Sequence, residues 1–152
     1  MRLLLVGKTK ESYLLEGCQI YLKRLVNYSK VELVFLKESN QTDPKAAKAE
    51  EAGRIMDKLD PQALCILLDE RGQSFSSEGL AAYLEKQALA GFGKIDWVVG
   101  GAWGAGDALK ARADLSLSLS KLTLTHQMVR LFLLEQIYRA LTILKGEKYH
   151  NP

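Results

Sequence analysis

The sequence predicts an α/β fold in which a mainly parallel β-sheet is covered by helices on both faces. First, short apolar runs alternate with helical patterns along the chain, in the order β-α-β-α-β-α-β-α-β-α. Second, most of these runs are continuously apolar, which is typical of strands buried on both faces. The length of 152 residues matches a single domain, which we expect to span residues 1–152.

The first four elements follow from apolar patterning and helix caps. Residues 3–6 form an apolar run that ends at a glycine, and residues 31–36 are rich in β-formers, so both predict strands. A charged helix runs from an Asp43 N-cap and Pro44 to about residue 59. Residues 9–27 predict a helix whose apolar face comprises Tyr13, Leu14, Gly17, Ile20, Tyr21 and Leu25.

The second half continues the alternation. Residues 63–68 predict a third strand, followed by a polar loop over residues 69–73. Ser76 caps a helix that runs to about residue 90. The later elements are a strand at 95–99, a glycine-rich loop at 100–106, a short helix at 107–113, a fifth strand that begins at 116, a loop at 119–126 and a helix that ends near 144.

Composition excludes several classes of protein. The net charge of +3 and the pI of about 8.8 permit a nucleic-acid partner without requiring one. Cys18 and Cys65 are not spaced as a metal knuckle or redox pair, so we expect core cysteines and no metal. The apolar start is too short for a signal peptide, and no run is long enough to span a membrane. We therefore expect a cytoplasmic protein.

Three loops are candidates for a ligand site, because parallel α/β sheets bind ligands beyond the carboxyl ends of their strands. They cover residues 68–72, 100–106 and 119–126. The four glycines of the second loop fit either a surface that lies flat against an adenosine-like group or a tight turn carrying Trp103. The third loop fits either main-chain binding of a partly apolar ligand or an ordinary connection in which Thr125 caps the next helix.

The last helix is apolar on nearly every side, so one face needs a partner beyond the sheet. A second copy of the chain in a two-fold dimer is the interpretation we favour. Glu135 and Arg139 lie one turn apart and can pair. The tail ends in Tyr149 and His150 after two lysines, a composition that suits phosphates and a stacked base or, alternatively, a frayed terminus.

Seven motifs follow one another along the chain: LLDERG (67–72), SSEGL (76–80), VGG (99–101), LSLSKLTL (117–124), HQMVR (126–130), EQIYRA (135–140) and YH (149–150). Together they resemble the RlmH family, the SPOUT-class methyltransferases of bacterial large-subunit ribosomal RNA. The resemblance covers the full length and is most specific from residue 99 to residue 150. The chain departs from the pattern in two places: residues 102–104 read Ala-Trp-Gly where many relatives have Pro-Glu-Gly or Ser-Asn-Gly, and Thr125 stands where many have proline.

The resemblance implies an α/β fold with a C-terminal trefoil knot, a homodimer, and S-adenosyl-L-methionine as methyl donor. It also implies methylation of N3 of a pseudouridine in a stem-loop of 23S ribosomal RNA, on assembled ribosomes. His150, Arg139 and Tyr149 match positions near the target base, as candidates for proton acceptor, charge stabiliser and stacking group. The donor-binding positions of the family map onto Leu68, Gly100, Leu119, Ser120, Lys121, Leu122, Thr123 and Leu124.

Two alternative functions remain open at this point. One is a non-catalytic ribosome- or RNA-binding module that keeps the fold. The other is an α/β enzyme that uses a different adenosine-containing ligand. Binding of S-adenosylmethionine distinguishes both from a methyltransferase.

Overall fold

The computed structural model describes residues 1–151; Pro152, the end of the predicted domain, lies outside this part of the chain. Its five strands form one sheet in the order β2-β1-β4-β3-β5, and every paired strand runs parallel to its neighbour, as predicted. The strands are β1 (Arg2–Val6), β2 (Glu32–Leu36), β3 (Leu64–Ser74), β4 (Ile95–Val99) and β5 (Leu115–Ser118). The helices are α1 (Ser12–Leu25), α2 (Pro44–Met56), α3 (Ser77–Leu89), α4 (Asp107–Arg112) and α5 (Met128–Leu144).

The strand order brings two loops and the middle of β3 to one place. β4 lies between β1 and β3, and β5 pairs with the far side of β3, so β4, β3 and β5 are consecutive neighbours. Because the strands are parallel, β4 and β5 end at the same edge of the sheet. The loops that follow β4 and β5 therefore meet there, beside Leu68–Arg71 of β3.

Helices cover both faces of the sheet, as the alternating pattern predicts. On one face α5 packs between α1 and α3, and its buried side chains meet those of β1, β3 and β4. On the other face α2 and α4 pack together over a smaller cluster that includes Ile55, Cys65 and Leu109. Cys18 and Cys65 are both buried free thiols, as expected of core residues.

The polar loop predicted at residues 69–73 is wrong, because β3 continues through it to Ser74. The register of β3 against β5 shifts between Leu68 and Gln73, and pairing resumes when Gln73 lies opposite Leu117. The polar side chains of this segment stay half-buried or exposed, which is why their composition resembled a loop. A bulge of this kind bends a strand without ending it.

The apolar face predicted for α1 is partly wrong. Leu14, Cys18 and Leu25 are buried, but Tyr13 and Ile20 are 61% and 45% exposed. The helix thus presents two apolar surfaces, one toward the core and one toward solvent. α5 also leaves Phe132 43% exposed. These exposed apolar side chains are compatible with the predicted dimer. Both the dimer and the knot stay predictions.

Among residues 1–151, no helix combines the length and the apolar character that crossing a membrane requires.

Candidate functional site

A cavity of about 620 Å³ lies beyond the carboxyl ends of β4 and β5, beside the middle of β3. This volume falls in the range of small-molecule sites. Leu68 of β3, the glycine-rich loop and the loop after β5 form its walls, so the structure brings the three predicted segments together, although the first of them is strand and not loop. Of the eight donor positions implied by the resemblance, only Lys121 does not line the cavity; the lining ones are Leu68, Gly100, Leu119, Ser120, Leu122, Thr123 and Leu124.

The glycine-rich loop is both a tight turn and a cavity wall. The Gly104 N–H donates to the Gly101 carbonyl at 3.0 Å, and Gly104 has a φ of +81°, which favours glycine. A Cβ on Gly100 would lie 3.1 Å from the Gly104 carbonyl carbon, so the loop folds closely on itself. Trp103 sits in this turn with half of its surface exposed, at the rim of the cavity.

The loop after β5 uses its polar side chains to hold its own shape. The Ser118 hydroxyl donates to the Ser120 carbonyl at 2.9 Å, and the Ser120 hydroxyl accepts from the Leu122 N–H at 2.9 Å. The Thr123 hydroxyl donates to the Glu70 carboxylate at 3.0 Å, which ties this loop to the bulged part of β3. What the loop offers a ligand is consequently main-chain groups and apolar side chains such as Leu119.

Charged groups at the rim are partly neutralised by each other. Lys110 pairs with Asp69 at 2.8 Å. Burial on its own would raise the pKa of Asp69, but hydrogen bonds from Lys110 and from the Arg71 N–H outweigh it and hold the pKa below its usual value. Asp69 is therefore an anion at neutral pH, and the rim also carries Lys48 and Glu70.

His126 lines the cavity next to a buried cation. Arg130 is 1% exposed and donates to the Val6 carbonyl at 2.5 Å and to the Thr9 hydroxyl at 3.0 Å, which fastens α5 to the loop after β1. Burial, and then the charge of Arg130, lower the pKa of His126. At neutral pH the imidazole is accordingly uncharged, and the cavity gains no cation there.

We expect the His126 imidazole to titrate below pH 6.5 in the folded chain. Since the unfolded chain binds this proton more readily, the free energy of unfolding should fall as pH drops through the window below 6.5. Proton NMR checks this directly, because the sequence has only two histidines and His126→Gln assigns the signal. A midpoint at or above 6.5 would contradict the burial argument.

The C-terminal tail is docked on its own chain, so the frayed alternative is wrong. The His150 Nε2 lies 2.6 Å from the Glu78 carboxylate at the start of α3, and its Nδ1 lies 3.3 Å from the Arg139 guanidinium. Arg139 also donates to Glu135 at 2.6 Å, the pairing predicted from their spacing. Hydrogen bonds from its own backbone N–H, from His150 and from the Ser76 side chain lower the pKa of Glu78 to about 2. We call the group of Glu78, Glu135, Arg139, Tyr149 and His150 the tail cluster.

Tyr149 contacts an aromatic ring, a guanidinium group and two polar groups of its own chain. Its ring meets that of Tyr138 edge-on at 4.7 Å between centroids, and the Arg139 guanidinium lies 4.7 Å from its centre. Its hydroxyl contacts Glu135 at 3.2 Å and the Tyr21 hydroxyl at 3.3 Å. Burial and these contacts raise the pKa of Tyr149, so the phenol stays protonated.

One chain does not bring the tail cluster to the cavity. Val129 lines the cavity at the start of α5, whereas Arg139 lies ten residues further along the same helix. At the usual rise this corresponds to about 15 Å. None of Arg139, Tyr149 and His150 lines the cavity.

Sequence reasoning assigned no site role to three charged residues on helices. Lys48 and Lys110 line the cavity from α2 and α4, and Glu78 reaches the tail from α3. Lys48 and Lys110 sit in ordinary charged helical patterns, so no local signal marks them, whereas Glu78 belongs to the SSEGL motif. Among residues 1–151, no three histidine, cysteine or acidic side chains cluster as metal ligands would.

Fold and cavity define an α/β protein with a cavity at the carboxyl edge of its sheet, whose main-chain and apolar lining suits a small, partly apolar ligand. A family model described as "Predicted SPOUT methyltransferase" matches residues 1–150, and the chain therefore belongs to the SPOUT methyltransferase family. The membership agrees with the resemblance seen in the motifs. It also identifies the chain as a methyltransferase.

Similar proteins cover the chain almost completely. A protein of Syntrophotalea carbinolica is 46% identical over 151 residues, covering 98% of this chain and 97% of its own length. Proteins of Cytophaga hutchinsonii and Symbiobacterium thermophilum are 43% and 46% identical, with 99% of both chains covered in each case. All three are named ribosomal RNA large subunit methyltransferase H.

Proposed function

We propose that this chain transfers a methyl group from S-adenosylmethionine to N3 of a pseudouridine in large-subunit ribosomal RNA. The relatives named above support the RNA substrate. The observation that carries the donor is the cavity between the middle of β3 and the loops that follow β4 and β5, with its main-chain and apolar lining. We take residues 1–152 as one domain that works as a homodimer.

The residues of the cavity fit such a donor. Gly100 has no Cβ, so a flat adenine ring can approach the backbone there. Leu68 and Leu119 supply apolar contacts. The loop at 119–124 offers main-chain hydrogen bonds, while His126 adds no positive charge against a cationic ligand. When bound, S-adenosylmethionine supplies a methyl group already activated on a positively charged sulfonium.

The complete site requires two copies of the chain. Arg139 lies ten residues, or about 15 Å, beyond Val129 along α5, and no residue of the tail cluster lines the cavity of its own chain. We therefore assign the tail cluster to the cavity of a second copy. Exposed apolar side chains on α1 and α5, Tyr13, Ile20 and Phe132, provide a surface for that contact. A two-fold dimer then places each tail over the cavity of the other copy.

The tail cluster acts on the RNA base. N3 of pseudouridine carries a proton, and His150 accepts it at Nδ1 when the long contact to Arg139 opens toward the substrate. The Glu78 carboxylate at Nε2 stabilises the imidazolium that results. Arg139 turns to the uracil carbonyls and stabilises their developing negative charge, and Tyr149 packs against the ring.

His150→Ala should lower the rate of a single turnover by roughly 10²-fold or more, since general base catalysis contributes of that order. The wild-type rate should depend on pH through this base, and the variant should lack that dependence. Rapid-quench methyl transfer measured across pH tests this. An unchanged pH profile with only a slight loss of rate would show that His150 is not the base.

The RNA contact area favours ribosomes over free RNA. A net charge of +3 per chain provides little attraction for a bare phosphate backbone.

Isothermal titration calorimetry with S-adenosylmethionine tests whether the chain binds the proposed donor. A chain that does not bind the donor would support the reading of an enzyme with another adenosine ligand, or of an RNA-binding module without catalysis.

A further inference from the structure

Glu51 is a buried carboxyl group that the proposed reaction does not use. It lies in α2, is 6% exposed, and its Oε1 accepts from the Ser39 N–H at 3.0 Å. Its Oε2 has no hydrogen-bond partner among the described residues. A buried polar atom without a partner destabilises a fold, so the position of this carboxyl group calls for a physical reason.

Glu51 is pressed against the glycine-rich loop that walls the cavity. A Cβ built on Gly101 would lie 2.5 Å from Glu51 Oε2, and its three nearest atoms all belong to the Glu51 carboxyl group. Gly101 itself lines the cavity, next to Gly100. The carboxyl group thus occupies the space behind the cavity wall that any other residue at position 101 would need.

The same helix holds the other end of the loop. A Cβ on Gly106 would lie 3.0 Å from the Lys48 carbonyl oxygen and 3.1 Å from Ala52 Cβ. α2 therefore supports the glycine-rich loop at both ends. Of the α2 residues that contact Gly101 or Gly106, Glu51 also holds the loop after β2, because it accepts a hydrogen bond from the Ser39 N–H.

We infer that Glu51 is a positioning residue of the donor site, which sets the place of the Gly100–Gly101 wall by bracing Gly101 against the Ser39 loop. This inference rests on the proposed function, because the donor is the ligand that the wall would hold. A displaced wall weakens donor binding without removing any group that touches RNA.

Glu51→Ala should raise the Kd for S-adenosylmethionine and the KM for the donor about tenfold, with kcat changed less than about threefold. Glu51→Gln keeps the shape and the acceptor for Ser39, so it should restore most of the affinity. Glu50→Ala is the matched control, since Glu50 contacts the Ser39 hydroxyl and Arg54 but not Gly101. Its donor Kd should stay close to that of the wild type.

These measurements separate positioning from simple loss of folded enzyme, which lowers kcat and leaves the donor KM unchanged. A donor Kd for Glu51→Ala equal to that of the wild type would overturn the inference while the proposed function stands. Glu51→Gln as weak as Glu51→Ala would overturn it too. A wild-type chain that fails to bind the donor would overturn both the inference and the proposed function.

A double-mutant cycle supplies a second test. Gly101→Ala should weaken donor binding strongly when Glu51 is present, because the new Cβ meets its carboxyl group. In the Glu51→Ala background the same change should cost clearly less. Additive losses would show that Glu51 does not brace Gly101, and would contradict the inference.

Discussion

Gly72→Ala should weaken donor binding strongly and lower the free energy of unfolding. A Cβ at this position would lie 2.5 Å from the Ser116 carbonyl oxygen and 2.8 Å from the Leu117 carbonyl carbon, and backbone atoms in a sheet cannot move aside cheaply. Overpacking of this kind costs about 1–3 kcal/mol. β3 and β5 would separate where they form the cavity wall, so we expect the donor Kd to rise by about 10²-fold.

The matched control is Gly53→Ala in α2. No atom lies within 4 Å of a Cβ built there, and alanine favours a helix interior over glycine by about 0.5–1 kcal/mol. Chemical denaturation and calorimetry on both variants check the pair: Gly53→Ala should be slightly more stable with unchanged donor binding. If Gly72→Ala bound the donor as the wild type does, the packing of the bulge would not shape the cavity.

Arg139→Ala should reduce kcat by roughly 10²- to 10³-fold, the loss typical when a stabiliser of developing negative charge is removed. It also leaves Glu135 without its ion pair and His150 without its Nδ1 contact. Because Arg139 does not line the cavity, the donor Kd should remain near that of the wild type. Steady-state kinetics on ribosomes, combined with donor calorimetry, separates the two effects.

Arg139→Lys serves as the conservative variant. Lysine keeps the charge but not the planar fork that contacts Glu135 through two nitrogens, so it should recover only part of the lost rate. Loss of donor affinity equal to the loss of rate would place Arg139 in the donor site and contradict the assignment of the tail cluster to the RNA base.

The two variants together test whether each site is shared between copies. Mixed dimers of Gly72→Ala and Arg139→Ala contain one site in which both the cavity and the tail are intact, if the tail of one chain serves the cavity of the other. Such dimers should recover activity that neither parent has. No recovery, despite mixed dimers seen by mass spectrometry, would argue that each chain works alone.

Much of the cavity was predictable, because neighbouring parallel strands end at the same edge of a sheet and the loops that follow them meet there. The glycine-rich loop and the loop after β5 are recognisable from Gly100 to Gly106 and from Leu119 to Thr123, and strand alternation places them at one edge. The extension of β3 was not predictable in this way. Its polar residues pair with β5 only after a register shift that depends on contacts distant in sequence.

The docked tail and the brace behind the cavity depend on long-range contacts that no local pattern encodes. Glu78 and His150 are 72 residues apart, and Glu51 and Gly101 meet only because α2 packs on the glycine loop. Apolar spacing predicts that Tyr13 and Ile20 share the core-facing side of α1, because such spacing cannot distinguish that side from an exposed apolar surface.

Transfer of labelled methyl groups to ribosomes is the most direct test of the central claim. Ribosomes from a strain that lacks its own enzyme of this family would be incubated with labelled S-adenosylmethionine and the purified chain. We predict label at a pseudouridine of the large-subunit RNA with the wild-type chain, little label with Arg139→Ala, and little on protein-free RNA. Donor binding by the wild-type chain with no label in the ribosomal RNA would contradict the account and favour a binding module without catalysis.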